Sequence, residues 1–220
     1  MKSTEEKIKI AGDMVKSHGA KFPGVPLIST QSIIELRKKA RTNNTETDPI
    51  LIDVRSEQEQ KASMIPGAIT QSEFEANMDL DELRANDSIH IIPYCTIGVR
   101  SGRYGLRLQK AGFKRVLNGE GILLWSLTAD TSASPNPDQA LIRRVINPSV
   151  STNSAYGEVA ADSVHVFNDT HDLIDNEKYK SIKFSTWDIL MYVGGCWWTK
   201  AFDVDYAVPV KTKSRKPDQT

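Results

Sequence analysis

Residues 90–113, HIIPYCTIGVRSGRYGLRLQKAGF, decide how the rest of the chain is read. A short apolar run, Ile91-Ile92-Pro93-Tyr94, ends at Cys95. The segment Thr96-Ile97-Gly98-Val99-Arg100-Ser101 follows, and then a helical pattern over 101–111 that Gly112 ends. In open α/β sheets, ligands bind beyond the carboxyl ends of strands, at the N-termini of the following helices. Cys95 is expected at such a point. The amides from Thr96 to Ser101 have no helical acceptor there and curl into an anion-favouring nest, with the helix dipole aligned the same way. Gly98 permits the tight backbone that a nest needs, and Arg100 adds a cation. Such surroundings lower a thiol pKa, and the thiolate is the nucleophilic form.

Working outward, "PILIDV" (49–54) is a continuous apolar run ending in Asp53 and Arg55, the pattern of a buried strand. "SIHIIPYC" (88–95) is a second such strand, and "KRVLN" (114–118) a short third one before a glycine turn and a further helix. Helices are predicted over 4–17, 31–40, 56–62 and the acidic stretch 72–86, with "FPGVPLIS" extended because Pro23 and Pro26 forbid helix. Strands alternating with helices at this spacing imply an α/β fold with a mostly parallel sheet. Past residue 130 the pattern changes. Residues 131–158 are proline- and serine-rich without a long period and read as a wrap or linker. "ADSVHVF" (161–167) and "YKSIKFS" (179–185) read as the two strands of a small β-hairpin. The stretch from Trp187 to Phe202 is aromatic and apolar, and suits packing back on the domain or a homodimer contact. The division expected is 1–24 as a helical lead, 25–130 as the main domain, 131–208 as a C-terminal extension packed on it, and 209–220 as a disordered tail.

Composition excludes several classes. Among 220 residues, Lys plus Arg equals Asp plus Glu at 28 each, so no bulk charge recruits nucleic acid or an anionic membrane. No window has the eighteen or so apolar residues of a membrane span. Two cysteines, Cys95 and Cys196, do not make a disulfide framework, so a reducing compartment is expected, cytoplasm first, or an organelle after loss of a transit peptide. No histidine pair has metal-ligand spacing, so no metal and no organic cofactor is expected.

The segment "CTIGVRSGRYGLRLQKAGFKRVLNGEGILLW" resembles the active-site half of rhodanese-like domains, whose pattern is Cys-x-x-Gly-x-Arg/Thr-Ser, a helix, and a glycine turn before tryptophan. Upstream, "ILIDVRSEQEQKASMIPGAI" is similar to that family's Asp-Val-Arg…Glu…Ile-Pro-Gly-Ala signature. The resemblance implies a parallel sheet flanked by helices on both faces. It also implies transfer of sulfane sulfur, from a small anionic donor such as thiosulfate or from a persulfide, to a thiol (a protein thiol included) or cyanide. By the same resemblance Cys95 would carry the persulfide, and Thr96, Ile97, Gly98, Val99, Arg100 and Ser101 would bind substrate. Asp53 and Arg55 would support the site architecturally. The departures are Met64 where many members have histidine, and Thr96 and Ile97 where classic thiosulfate transferases carry basic residues. Two alternatives stay open: a non-catalytic or redox-sensing module, and a phosphatase or arsenate reductase on the same fold. The second is disfavoured because four residues separate Cys95 from Arg100 where those enzymes have five.

Overall fold

The computed structural model describes residues 2–42, 47–129, 140–146, 156–166, 171–174 and 178–184. The Trp187–Phe202 segment, Cys196 and the tail from 209 lie outside the described residues, as does most of the expected linker.

Local signals explain the helices. Helix α1 (Thr4–Gly19) starts on a capping box in which Ser3 and Glu6 satisfy each other's backbone N–H. Strand β1 (Leu27–Ile28) leads into α2 (Thr30–Thr42), and β2 (Ile50–Asp53) into α3 (Glu57–Ala62), capped in the same way by Ser56 and Glu59. The acidic stretch, expected as one helix, forms two. After β3 (Ile69–Thr70), Thr70 caps α4 (Gln71–Asn77). Met78 then turns extended and Asp79 caps α5 (Leu80–Ala85) by accepting from the Glu82 amide. A cap residue inside a helical run can restart it, and Asp79 does. Strand β4 (Ile91–Tyr94), α6 (Val99–Lys110), β5 (Asn118–Gly119) and α7 (Ile122–Thr128) complete the central unit.

All pairings in this unit are parallel. Strands run β3-β2-β4 in one sheet and β1-β5 in another, and a parallel Ile91–Val116 bridge joins the two pieces. Alternate strand residues feed two apolar clusters, one on each face. Leu51, Ile92 and Tyr94 pack with α1, α2 and α7, whereas Ile52 and Ile91 pack with α4, α5 and α6. This is the α/β arrangement expected, with helices on both faces.

The C-terminal part carries β6 (Ile142–Ile146), β7 (Tyr156–Ala160), β8 (Ser163–Val166) and β9 (Lys180–Lys183). The expected hairpin of 161–167 with 179–185 needs correction: β8 and β9 do pair, but in parallel. A parallel pair needs a connection of a dozen or so residues, and 13 residues separate Val166 from Lys180. The antiparallel pair lies earlier, between β6 and β7, in residues expected as linker. The first cluster also takes in Leu141, Ile142, Val164, Val166, Leu173 and Ile174, so these strands share the core of the central unit.

Candidate active site

Cys95 follows β4 directly, at the carboxyl end of a strand that pairs with β2 on one side and bridges to Val116 on the other. It is 1% exposed. Its Sγ accepts from the Gly98 N–H at 3.2 Å and from the Ser101 hydroxyl at 3.5 Å. Gly98 has φ of 86°, in the left-handed region that favours glycine, and this bend aims its N–H back at the sulfur. Burial pushes the Cys95 thiol up. The Arg100 charge, the Ser101 hydroxyl and the amides of Ser101 and Ile97 outweigh burial, so the thiol pKa falls below its ordinary value.

Two further elements hold the loop. The buried Asn118 on β5 donates from Nδ2 to the Gly98 carbonyl at 2.9 Å, fixing the glycine from behind. The first amides of α7 reach the loop's own carbonyls, Ile122 N–H to Cys95 O at 2.9 Å and Leu123 N–H to Thr96 O at 3.3 Å. Gly121 before them has φ of 102°, and a Cβ there would stand 2.5 Å from Thr96 O and 2.7 Å from Cys95 O. Only glycine lets the two backbones approach so closely.

The expected substrate-binding residues divide. Ile97, Gly98 and Ser101 present backbone or hydroxyl groups to the sulfur. Thr96 and Arg100 turn their side chains to Glu59. The Arg100 guanidinium grips both Glu59 carboxylate oxygens at 2.7 Å each, and also donates to Thr96 Oγ1, which in turn bonds Glu59. Glu59 meanwhile accepts from the Ser56 amide and hydroxyl. Burial pushes the Glu59 carboxyl up, but Arg100, Arg55 and Ser56 together bring it to about 2. Val99 is the first residue of α6 and half-buried.

Asp53 and Arg55 form a fully buried pair. Arg55 Nε and one terminal nitrogen donate to the carboxylate, that nitrogen also donates to Ser63 O, and the Tyr94 hydroxyl donates to Asp53 Oδ2 at 2.8 Å. The Ile65 N–H donates to the Tyr94 oxygen. The network thus ties the ends of β2 and β4 to the segment 63–65, away from Cys95 Sγ. Glu59, Asn118 and Gly121 carried no role in the sequence reading. The signal for Glu59 was visible, since Ser56-x-x-Glu59 is a capping box and Glu59 sits within the upstream signature. Among the described residues, no group of three or more His, Cys, Asp or Glu is arranged to hold a metal ion.

Residues 34–126, which include the Cys95 loop, fit the family model described as the rhodanese-like domain. These residues form a rhodanese-like domain. The chain is 34% identical over 92 residues to YrkF of Bacillus subtilis, named as a candidate sulfur carrier protein; the match covers 41% of this chain and 49% of that relative. The chain therefore spans about half the length of this curated relative. Among solved structures, it is similar to a human single-domain sulfurtransferase (26% identity, 44% of this chain and 90% of the other, TM-score 0.33). It is also similar to the protein SSP1007 of Staphylococcus saprophyticus (27%, 44% and 88%, TM-score 0.31). No helix among the described residues is long and apolar enough to cross a membrane.

Proposed function

We propose that this chain is a sulfurtransferase that carries sulfane sulfur as a persulfide on Cys95. The observation that carries the reading is the Cys95 thiol itself, buried at the end of β4 yet lowered in pKa by its loop. A buried structural cysteine has its pKa raised; here hydrogen bonds and charge are arranged to favour the anion against that trend. The rhodanese-like match and the sulfur-carrier relative support the same chemistry.

In the first half-reaction, the Cys95 thiolate attacks the outer sulfur of a donor. The bond between that sulfur and the remainder of the donor breaks, and the electron pair leaves with the remainder. The resulting Cys95–S–S⁻ keeps one negative charge near the amides of Ile97, Gly98 and Ser101. In the second, an acceptor thiolate or cyanide attacks the terminal sulfur and restores the Cys95 thiolate. Each half moves one sulfur atom and needs no outside oxidant.

Intact mass spectrometry after incubation with sulfane-sulfur donors tests this. One added sulfur, about 32 Da, should appear, vanish with reductant, and be absent in Cys95→Ser. A correctly folded protein that takes no sulfur from thiosulfate, a thiosulfonate or an alkyl persulfide would refute the reading.

A further inference from the structure

Helix α6 leaves the Cys95 loop with a row of cations on its outer side. Gly102 and Gly105 seat the inner side against Phe22 and Val25, and a Cβ at either glycine would run into those side chains, so the rotation of the helix is fixed. At about 100° per residue, Arg103, Arg107 and Lys110 fall within an arc of about 60°, in line with Val99 at the loop. All three are exposed. Among the described residues none of them forms an ion pair; Arg107 lies over the Tyr104 ring, 5.2 Å from its centroid. Lys114, just beyond the helix, is by contrast matched by Asp87 at 2.7 Å. The helix dipole accounts for Arg107 and Lys110 in the last turn, but not for Arg103 just past the first.

The row runs from about 6 Å to about 16 Å from the start of α6, at about 1.5 Å per residue. A small anion held at the sulfur cannot span that length, whereas a chain of carboxylates can. The described C-terminal strands pack with the other apolar cluster, not with the one that holds α6. On the α6 side of the sheet, Asp79, Asp81 and Glu82 are exposed at the start of α5. Those carboxylates repel the uniform charge of a nucleic-acid backbone, while a folded protein can offer acid to the row alone.

Resting on the sulfurtransferase reading above, we infer that the row formed by Arg103, Arg107 and Lys110 docks an acidic segment of a partner protein whose cysteine exchanges sulfur with Cys95. The docked segment delivers its thiol, R–SH, past Val99 to the loop. The step balances: R–SH and Cys95–S–S⁻ give R–S–SH and the Cys95 thiolate. The S–S bond at Cys95 breaks and its electron pair returns to Sγ. A new S–S bond forms at the partner's sulfur, and the thiol proton ends on the transferred sulfur.

The test uses the full chain and a synthetic peptide in which a terminal cysteine is followed by a run of glutamates, with a glutamine twin. Serine-for-cysteine forms of both peptides, read by fluorescence anisotropy, report docking without chemistry. Single-turnover transfer from sulfur-loaded Cys95 reports delivery. At about 0.01 M salt, where screening reaches about 30 Å, the acidic peptide should bind about 10-fold more tightly than its twin; near 1 M the two should be equal. The variant Arg103→Gln/Arg107→Gln/Lys110→Gln should lose about 10-fold in binding the acidic peptide and in transfer to it. Transfer to the twin and to free mercaptoethanol should stay within about 2-fold, which also shows that the variant is folded. Equal binding of the two peptides at low salt, or an acidic preference that survives in the variant, overturns the inference. So does an acidic peptide that docks but takes sulfur no faster than its twin, and so does an oligouridylate that binds the row more tightly than the peptide. A Cys95 that loads no sulfur refutes the sulfurtransferase reading instead, and the anisotropy comparison then decides docking by itself.

Discussion

Removing the Asp53 carboxylate should unfold much of this protein without acting on the sulfur. Both side chains of the Asp53–Arg55 pair are 0% exposed, and their close contact is 2.7 Å. In Asp53→Ala the guanidinium keeps its charge, because arginine does not deprotonate in proteins. It then stands in the core still donating to Ser63 O but without its counter-charge, and the Tyr94 hydroxyl loses Asp53 as well. Breaking a buried pair by removing one partner costs about 3–5 kcal/mol. Against a total stability of about 5–15 kcal/mol, that is a large share. A loss of about 4 kcal/mol, with a urea slope of about 2 kcal/mol per molar, lowers the unfolding midpoint by about 2 M. The double variant Asp53→Ala/Arg55→Ala removes the orphaned charge and should recover about 2 kcal/mol relative to the sum of the singles. Equilibrium urea unfolding of the four proteins measures the cycle. Single losses under about 1 kcal/mol, or simple additivity, would refute the claim that this pair braces the ends of β2 and β4. Sulfur loading per folded molecule should stay near wild type, since neither side chain bonds Cys95 Sγ.

The Glu59 carboxyl, brought from 4.5 to about 2, favours the folded state by about 3 kcal/mol above pH 4.5, and that contribution is lost as pH falls from there through 2. Acid titration of stability should show the fall in wild type and its absence in Glu59→Gln. Removing both charges in Arg100→Gln/Glu59→Gln withdraws the strongest influence that lowers the Cys95 thiol, so the midpoint of iodoacetamide alkylation against pH should move upward; an unchanged midpoint would show that the amides and Ser101 suffice. Gly121→Ala drives a Cβ into the carbonyls of Cys95 and Thr96 at a backbone angle side chains avoid, and should cost about 3 kcal/mol in urea unfolding together with slower alkylation of Cys95.

The parts of this fold that were legible in the sequence are those that one physical signal controls. Ile50–Asp53 and Ile91–Tyr94 are central, so both faces are buried and the runs are apolar without alternation. The cysteine loop was legible because Gly98 and Ser101 are required by geometry within seven residues of chain. What failed depended on partners remote in sequence. Strand β3 is two residues long and pairs with the edge that β2 offers, so its own residues carried no strand signal. Strands β8 and β9 have the composition of strands, but nothing in a strand's own residues says whether its partner runs parallel or antiparallel. Arg100 was read as a cation of the loop, but the partner that holds its side chain was not legible there. That partner is Glu59, 41 residues earlier, whose own position follows from a cap on α3.

The same remoteness bears on how much chain the cradle requires. Residues 34–126 fit the family model, yet the loop residue Ile97 packs in one cluster with Ala11 and Val15 of α1, and with Val164, Val166, Leu173 and Ile174 of the C-terminal part. The buried Lys7 ammonium donates to Ile174 O at 2.9 Å, joining α1 to the C-terminal part. Ile142 exchanges two backbone hydrogen bonds with Met64, which follows directly on the Ser63 carbonyl that Arg55 holds. Arg144 reaches Glu73 at 2.8 Å, beside the Thr70 cap of α4. A chain cut to 34–126 would therefore bare part of the apolar cluster that contains Ile97 and leave Met64 without its strand partner. The loop whose amides favour the Cys95 thiolate is held by that cluster through Ile97 and by hydrogen bonds from Asn118 and the first amides of α7. Their spacing is consequently a property of the longer folded unit, and the lowered thiol pKa is the observable that reports on it.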